Sequence, residues 1–167
     1  GVAMCRAYPL LNLHPALPQG PIGTWQEVVW QLIQSQATHT GAMIHLATED
    51  LDRGPVVSYC TVPITDGTFA PLWAELNPQD PAHLDHLKEV QGEDLPLFQL
   101  IRQAEYQSEP YLLFETIRSV SQGRVILRGG RVLDQGGQPL SSTQPSGLCL
   151  DREIEVVMAA DGLQAIA

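Results

Sequence analysis

Basic residues are scarce: nine Lys and Arg stand against nineteen Asp and Glu, for a net charge of -10. Nothing in that balance offsets phosphate repulsion, so nucleic acid and anionic membrane surfaces are not expected partners. A small anionic substrate is not excluded, because it needs only a local cluster of donors. Cysteine is also scarce. Cys5, Cys60 and Cys149 are odd in number, far apart, and form no C-x-x-C. Neither a disulfide framework nor a cysteine zinc site is supported, and a cytoplasmic setting is the simplest expectation. No apolar run approaches the ~20 residues of a membrane span, and no basic-then-apolar leader is visible. What is present is an ordinary globular composition, 44% hydrophobic over 167 residues. A chain of this length can bury roughly 70% of its unfolded surface in one core.

The most informative stretch is Leu11-Asn12-Leu13-His14-Pro15. An apolar lead reads as the end of a buried strand, and Pro15 stops its pairing. Asn12 and His14 are two apart, so on a strand they share a face. A fixed donor and a group titrating near neutrality then meet at the strand's carboxyl end, where open α/β sheets bind ligands. The bland alternative is a turn cap beside a satisfied histidine.

Downstream, Thr24 with Glu27 forms a capping box. Trp25, Val28, Val29, Leu32 and Ile33 make one helical stripe that fades near Ala37. Trp25 and Trp30 read as packing residues. The run Ala42–Ala47 after Gly41 suits a strand covered on both faces. Strand, helix, strand implies a parallel right-handed crossover. His45, inside that run, reads as a core histidine with a local partner.

Thr48-Glu49-Asp50-Leu51-Asp52-Arg53-Gly54-Pro55 is an acidic loop at the end of this strand, and 56–64 is a third strand. Residues 65–95 read as a loop-rich acidic lid or excursion with a short helix over 83–90. His83 and His86, with Asp85 between them, have metal-like spacing but fit an exposed helix surface better. Residues 97–105 and 109–121 are helical, with Ser108 a candidate N-cap and Pro110 in the first turn or at a kink. Leu113, Phe114, Ile117 and Val120 form the expected buried face of the second part. Gly129-Gly130 joins 125–128 and 131–134 as a hairpin. Residues 135–147 are loop, and 148–158 reads as a last strand.

In this order, Asn12-x-His14-Pro15, the capped helix, 41–46 and Leu51-Asp52-Arg53-Gly54-Pro55-Val56 resemble the folate-dependent formyltransferases. The similarity is greatest to the branch that formylates glycinamide ribonucleotide, and it runs from about residue 2 to 137. It implies an α/β, formyltransferase-like (Rossmann-like) open sheet, incomplete at the N-terminal side, with a C-terminal helix and β-hairpin. It divides the chain into a catalytic C-terminal portion, 1–140, and a tail of unknown role, 141–167. The implied activity is formyl transfer from 10-formyltetrahydrofolate to a small-molecule amine, in purine biosynthesis for that branch, without a metal. The implied catalytic set is Asn12, His14 and Asp52. Glu109 would hold substrate ribose hydroxyls, and Asp50, Leu51, Arg53, Gly54 and Pro55 would line the folate pocket. Hydrolysis of formyltetrahydrofolate and a non-catalytic folate or nucleotide module remain open alternatives. The family's N-terminal half, with its glycine-rich phosphate loop, has no counterpart in the sequence. An open sheet edge is therefore expected to invite a missing N-terminal portion or a second copy, and the fragment alone is expected to be poorly active.

Overall fold

A computed structural model describes residues 4–5, 8–49, 53–76 and 80–163. The fold is mixed α/β with an open four-stranded sheet, ordered β1-β2-β3-β6, and a separate two-stranded hairpin. The strands are β1 Leu11–His14, β2 His39–Leu46, β3 Val56–Pro63 and β6 Leu148–Cys149. The hairpin is β4 Val125–Arg128 with β5 Arg131–Asp134. Gly129 and Gly130 both have positive φ, 55° and 72°, which a two-residue primed turn requires. Between β1 and β2 lies helix α1, Trp25–Gln34, and its Thr24/Glu27 capping box is present.

The parallel crossover is corrected: β1 pairs β2 antiparallel, Asn12 opposite His45 and His14 opposite Met43. The reason is where α1 packs. Val28, Val29, Trp30, Leu32 and Ile33 join Ala16, Val62, Ile64, Phe69 and Phe98 in one core cluster. Ala16 follows β1, while Val62 and Ile64 close β3. The helix thus covers an end of the sheet rather than crossing its face, and the chain returns in the opposite direction.

Residues 65–76 and 80–95 are more regular than expected. They hold α2, Phe69–Leu76, as well as α3, Pro81–Val90, which Asp80 caps. Phe69, Leu76 and Leu84 anchor both helices in the same cluster as α1. Next comes a single 26-residue helix, α4 Pro96–Ser121, with Pro110 inside it. Ser108 is therefore no N-cap. It is buried mid-helix and donates to the Glu105 carbonyl at 2.8 Å.

The face of α4 that meets the sheet also differs from expectation. Leu113, Phe114 and Ile117 are 41%, 58% and 54% exposed, while Leu112, Glu115, Thr116 and Ser119 are buried. The sheet supplies the reason, because it presents hydroxyls to this helix. Thr40 on β2 meets Glu105, and Ser58 on β3 meets Thr116, each at 2.6 Å. Finally, the expected strand over 148–158 is only two residues of strand. It is followed by α5, Asp151–Ala160, whose Ile154 and Met158 pack beside Leu112 and Leu150. Asp151 begins that helix and accepts from the Thr61 backbone N–H at 2.6 Å.

Candidate active site

The two faces of β2 have different neighbours. Thr40, Ala42, Ile44 and Leu46 alternate onto the face that α4 covers, where Leu112 completes their cluster. Met43 and His45 point to the other face. Antiparallel pairing places Asn12 beside His45 and His14 beside Met43, so Asn12, His14 and His45 share that second face. The common face expected for Asn12 and His14 is what the register produces.

The three side chains differ in burial. His14 and His45 are 7% and 2% exposed, whereas Asn12 is exposed. The imidazoles stand edge to face with centroids 6.5 Å apart. Asn12 Nδ2 lies 3.2 Å from His45 Nε2, and His45 Nδ1 lies 3.2 Å from the Leu46 carbonyl oxygen. A carbonyl oxygen can only accept, so Nδ1 carries the proton. In the neutral ring Nε2 is then bare and accepts from the Asn12 amide. The expected local partner of His45 is thus Leu46, and a second one is Asn12. That second contact crosses from one strand to the next and had no signal in the local pattern around residue 45.

The acidic loop is only partly described. Asp50, Leu51 and Asp52 lie outside the described residues. Arg53 is exposed, and the Pro55 carbonyl oxygen accepts from the Leu46 N–H at 3.0 Å. Gly54 packs so closely that an added Cβ would fall 1.6 Å from the Leu46 carbonyl oxygen. Gly54 and Pro55 are therefore clamped to β2 directly after His45.

Glu109 sits on α4, which covers the opposite face of the sheet. Its carboxylate accepts from Arg102 Nη1 at 2.6 Å. The Arg102 guanidinium lies over Trp25 and Tyr106, 5.3 and 5.5 Å from the ring centroids, and also meets Glu105 at 3.4 Å. Glu105 is fully buried. Desolvation pushes its carboxyl up to about 7 despite the opposing Thr40 hydrogen bond and Arg102 charge. Sequence patterns did not single out Glu105, because a glutamate in a helix ordinarily faces solvent. Among the described residues no group of three His, Cys, Asp or Glu side chains is arranged to hold a metal. No helix among them is long and apolar enough to cross a membrane.

No family model matches the chain, and no curated protein matches it. Among solved structures, the phosphoribosylglycinamide formyltransferase of Coxiella burnetii is similar at 21% identity and a TM-score of 0.48, over 89% of this chain and 55% of that one. Glycinamide ribonucleotide transformylase 1 of Symbiobacterium toebii is similar at 22% identity and a TM-score of 0.46, over 73% and 43%. A formyltetrahydrofolate deformylase of Pseudomonas syringae is similar at 18% identity and a TM-score of 0.43, over 74% and 32%. The chain thus spans about half, or less, of the solved structures it matches.

Proposed function

We propose that this chain carries part of a formyl-transfer site, in which a formyl group passes from 10-formyltetrahydrofolate to an amine. Glycinamide ribonucleotide is the proposed acceptor. The observation that supports the reading most is the Asn12 amide, exposed on the sheet face beside buried His14 and held at its nitrogen by His45.

The chemistry suits these groups. The amine nitrogen attacks the formyl carbon, and the carbonyl oxygen becomes an oxyanion. An Asn12 N–H donates to that oxygen, and loss of such a donor typically costs about 10²–10³ in rate. His14, when protonated, donates to the same oxygen. Asp52 takes the proton released by the attacking amine, directly or through water. The tetrahedral carbon then collapses, its bond to the folate N10 breaks, and N10 takes up a proton. General acid–base help of this kind contributes roughly 10²–10⁴. Glu109, which Arg102 engages on the helix over the other face of the sheet, has no role in this reading. Arg53, Gly54 and Pro55, with Asp50 and Leu51, are proposed to line the folate pocket.

The test is formyl transfer by the full chain and by Asn12→Ala, His14→Ala and Asp52→Asn variants. We expect each variant to lose at least tenfold in kcat. Three variants with wild-type activity would refute the site. Formate release with no amine present would make the protein a hydrolase of the same donor. Calorimetric folate binding with no turnover would make it a binding module.

A further inference from the structure

We infer that His45 is a positioning residue for this site, selecting which end of the Asn12 amide faces the reacting carbonyl. The inference rests on the formyl-transfer reading for its consequence, but its geometric part stands alone. An asparagine amide has two nearly isosteric ends with opposite hydrogen-bonding character. Only the nitrogen end stabilises a developing oxyanion; the oxygen end repels it. Rotation about the terminal torsion exchanges them cheaply, because that torsion is broad. An exposed asparagine therefore needs a neighbour that distinguishes one end from the other.

His45 is that neighbour. The Leu46 carbonyl, 3.2 Å from Nδ1, accepts the ring's proton and leaves Nε2 as an acceptor only. Nε2, 3.2 Å from Asn12 Nδ2, tolerates the amide nitrogen and would repel Oδ1. The ring itself does not wander, being 2% exposed within β2. One N–H of Asn12 is thus tethered inside the sheet face, and the other N–H of the same nitrogen is directed away from the ring. The specificity begins at a backbone carbonyl and reaches the amide through one imidazole.

Two measurements on the full chain test this. Nitrogen-15 spectra of the histidine rings read the tautomer directly: His45 should carry its proton on Nδ1, with Nε2 bare. The side-chain amide of Asn12 should show one slowly exchanging proton that becomes fast in His45→Leu. In the activity assay, His45→Leu should lower kcat about tenfold or more with KM for the folate within about twofold. His45→Gln, which returns an acceptor oxygen near the Nε2 position, should recover most of the loss. An Nε2-protonated ring, or Asn12 exchange unchanged in His45→Leu, overturns the inference. So does a folded His45→Leu with wild-type kcat. If the leucine variant does not fold, the tautomer and the glutamine variant still decide. If the tautomer and exchange come out as expected in a protein with no turnover, the positioning stands and the formyl-transfer reading falls.

Discussion

Thr40 Oγ1 donates to Glu105 Oε1 at 2.6 Å across the interface between β2 and α4, and neither side chain reaches solvent. Glu105 titrates at about 7, against 4.5 for an ordinary glutamate, because burial outweighs the Thr40 and Arg102 interactions. The folded state then holds a proton through a pH range in which the unfolded chain has released it. Stability from this group is complete below about 4.5 and is lost as pH rises towards 7. The total is on the order of 3 kcal/mol. Urea denaturation at pH 5 and pH 8 should show that loss in the wild type. Glu105→Gln, which keeps an acceptor for Thr40, should flatten the dependence and be the more stable protein at pH 8.

A second polar pair in the same interface has a direction. Thr116 Oγ1 donates to the Leu112 carbonyl, so the 2.6 Å contact with Ser58 uses the Ser58 proton. Thr116→Val leaves a buried hydroxyl proton with no acceptor and should cost about 1–3 kcal/mol. Ser58→Ala removes the donor and should cost less. The double variant should be more stable than Thr116→Val alone, because nothing unsatisfied remains. A larger loss from Ser58→Ala than from Thr116→Val would show that the donor runs the other way.

These pairs explain where the sequence could be read and where it could not. The capping box, the α1 stripe, β2, β3 and the hairpin follow from local chemistry: Thr24 with Glu27, the spacing of Val28 to Ile33, and Gly129-Gly130. The register of β1 on β2 preserves the shared face of Asn12 and His14. The buried face of α4 was illegible. Leu113, Phe114 and Ile117 make the apolar stripe, while the buried one, Leu112, Glu115, Thr116 and Ser119, is mostly polar and is chosen by hydroxyls that arrive from Thr40 and Ser58. Likewise the direction of β2 depends on α1 docking at the sheet end, a tertiary fact. His45 looked like packing because its partner Asn12 lies 33 residues away.

That register makes a paired prediction. Leu112 is fully buried in the cluster with Ile44, Val57 and Leu150, so Leu112→Ala should cost about 2–5 kcal/mol. Phe114 is exposed by 58%, so Phe114→Lys should stay within about 0.5 kcal/mol of the wild type. Chemical denaturation of the two variants checks the face of the helix directly. A large loss for the lysine variant with a small one for the alanine variant would mean that the other stripe is the buried one.

Gly54 ties the acidic loop to the site. Its missing side chain lets the Leu46 carbonyl oxygen approach to a distance that no Cβ could share, and the next residue's carbonyl accepts from the Leu46 N–H. Leu46 is also the residue whose carbonyl fixes the His45 ring. Because the obstacle in Gly54→Ala is backbone, no side chain can swing away to relieve it. Either the loop lifts or β2 shifts, at a cost of about 1–3 kcal/mol. Lifting the loop removes the contact that holds Gly54 and Pro55 against β2, and shifting β2 moves the carbonyl that sets the His45 tautomer. Both routes should lower formyl transfer by at least tenfold while the protein remains folded at room temperature. Activity and thermal melting of Gly54→Ala, compared with Gly136→Ala in the exposed loop after β5, separate this local effect from general damage. Equal melting temperatures for the two variants would show that the loop is not held against β2 through Gly54.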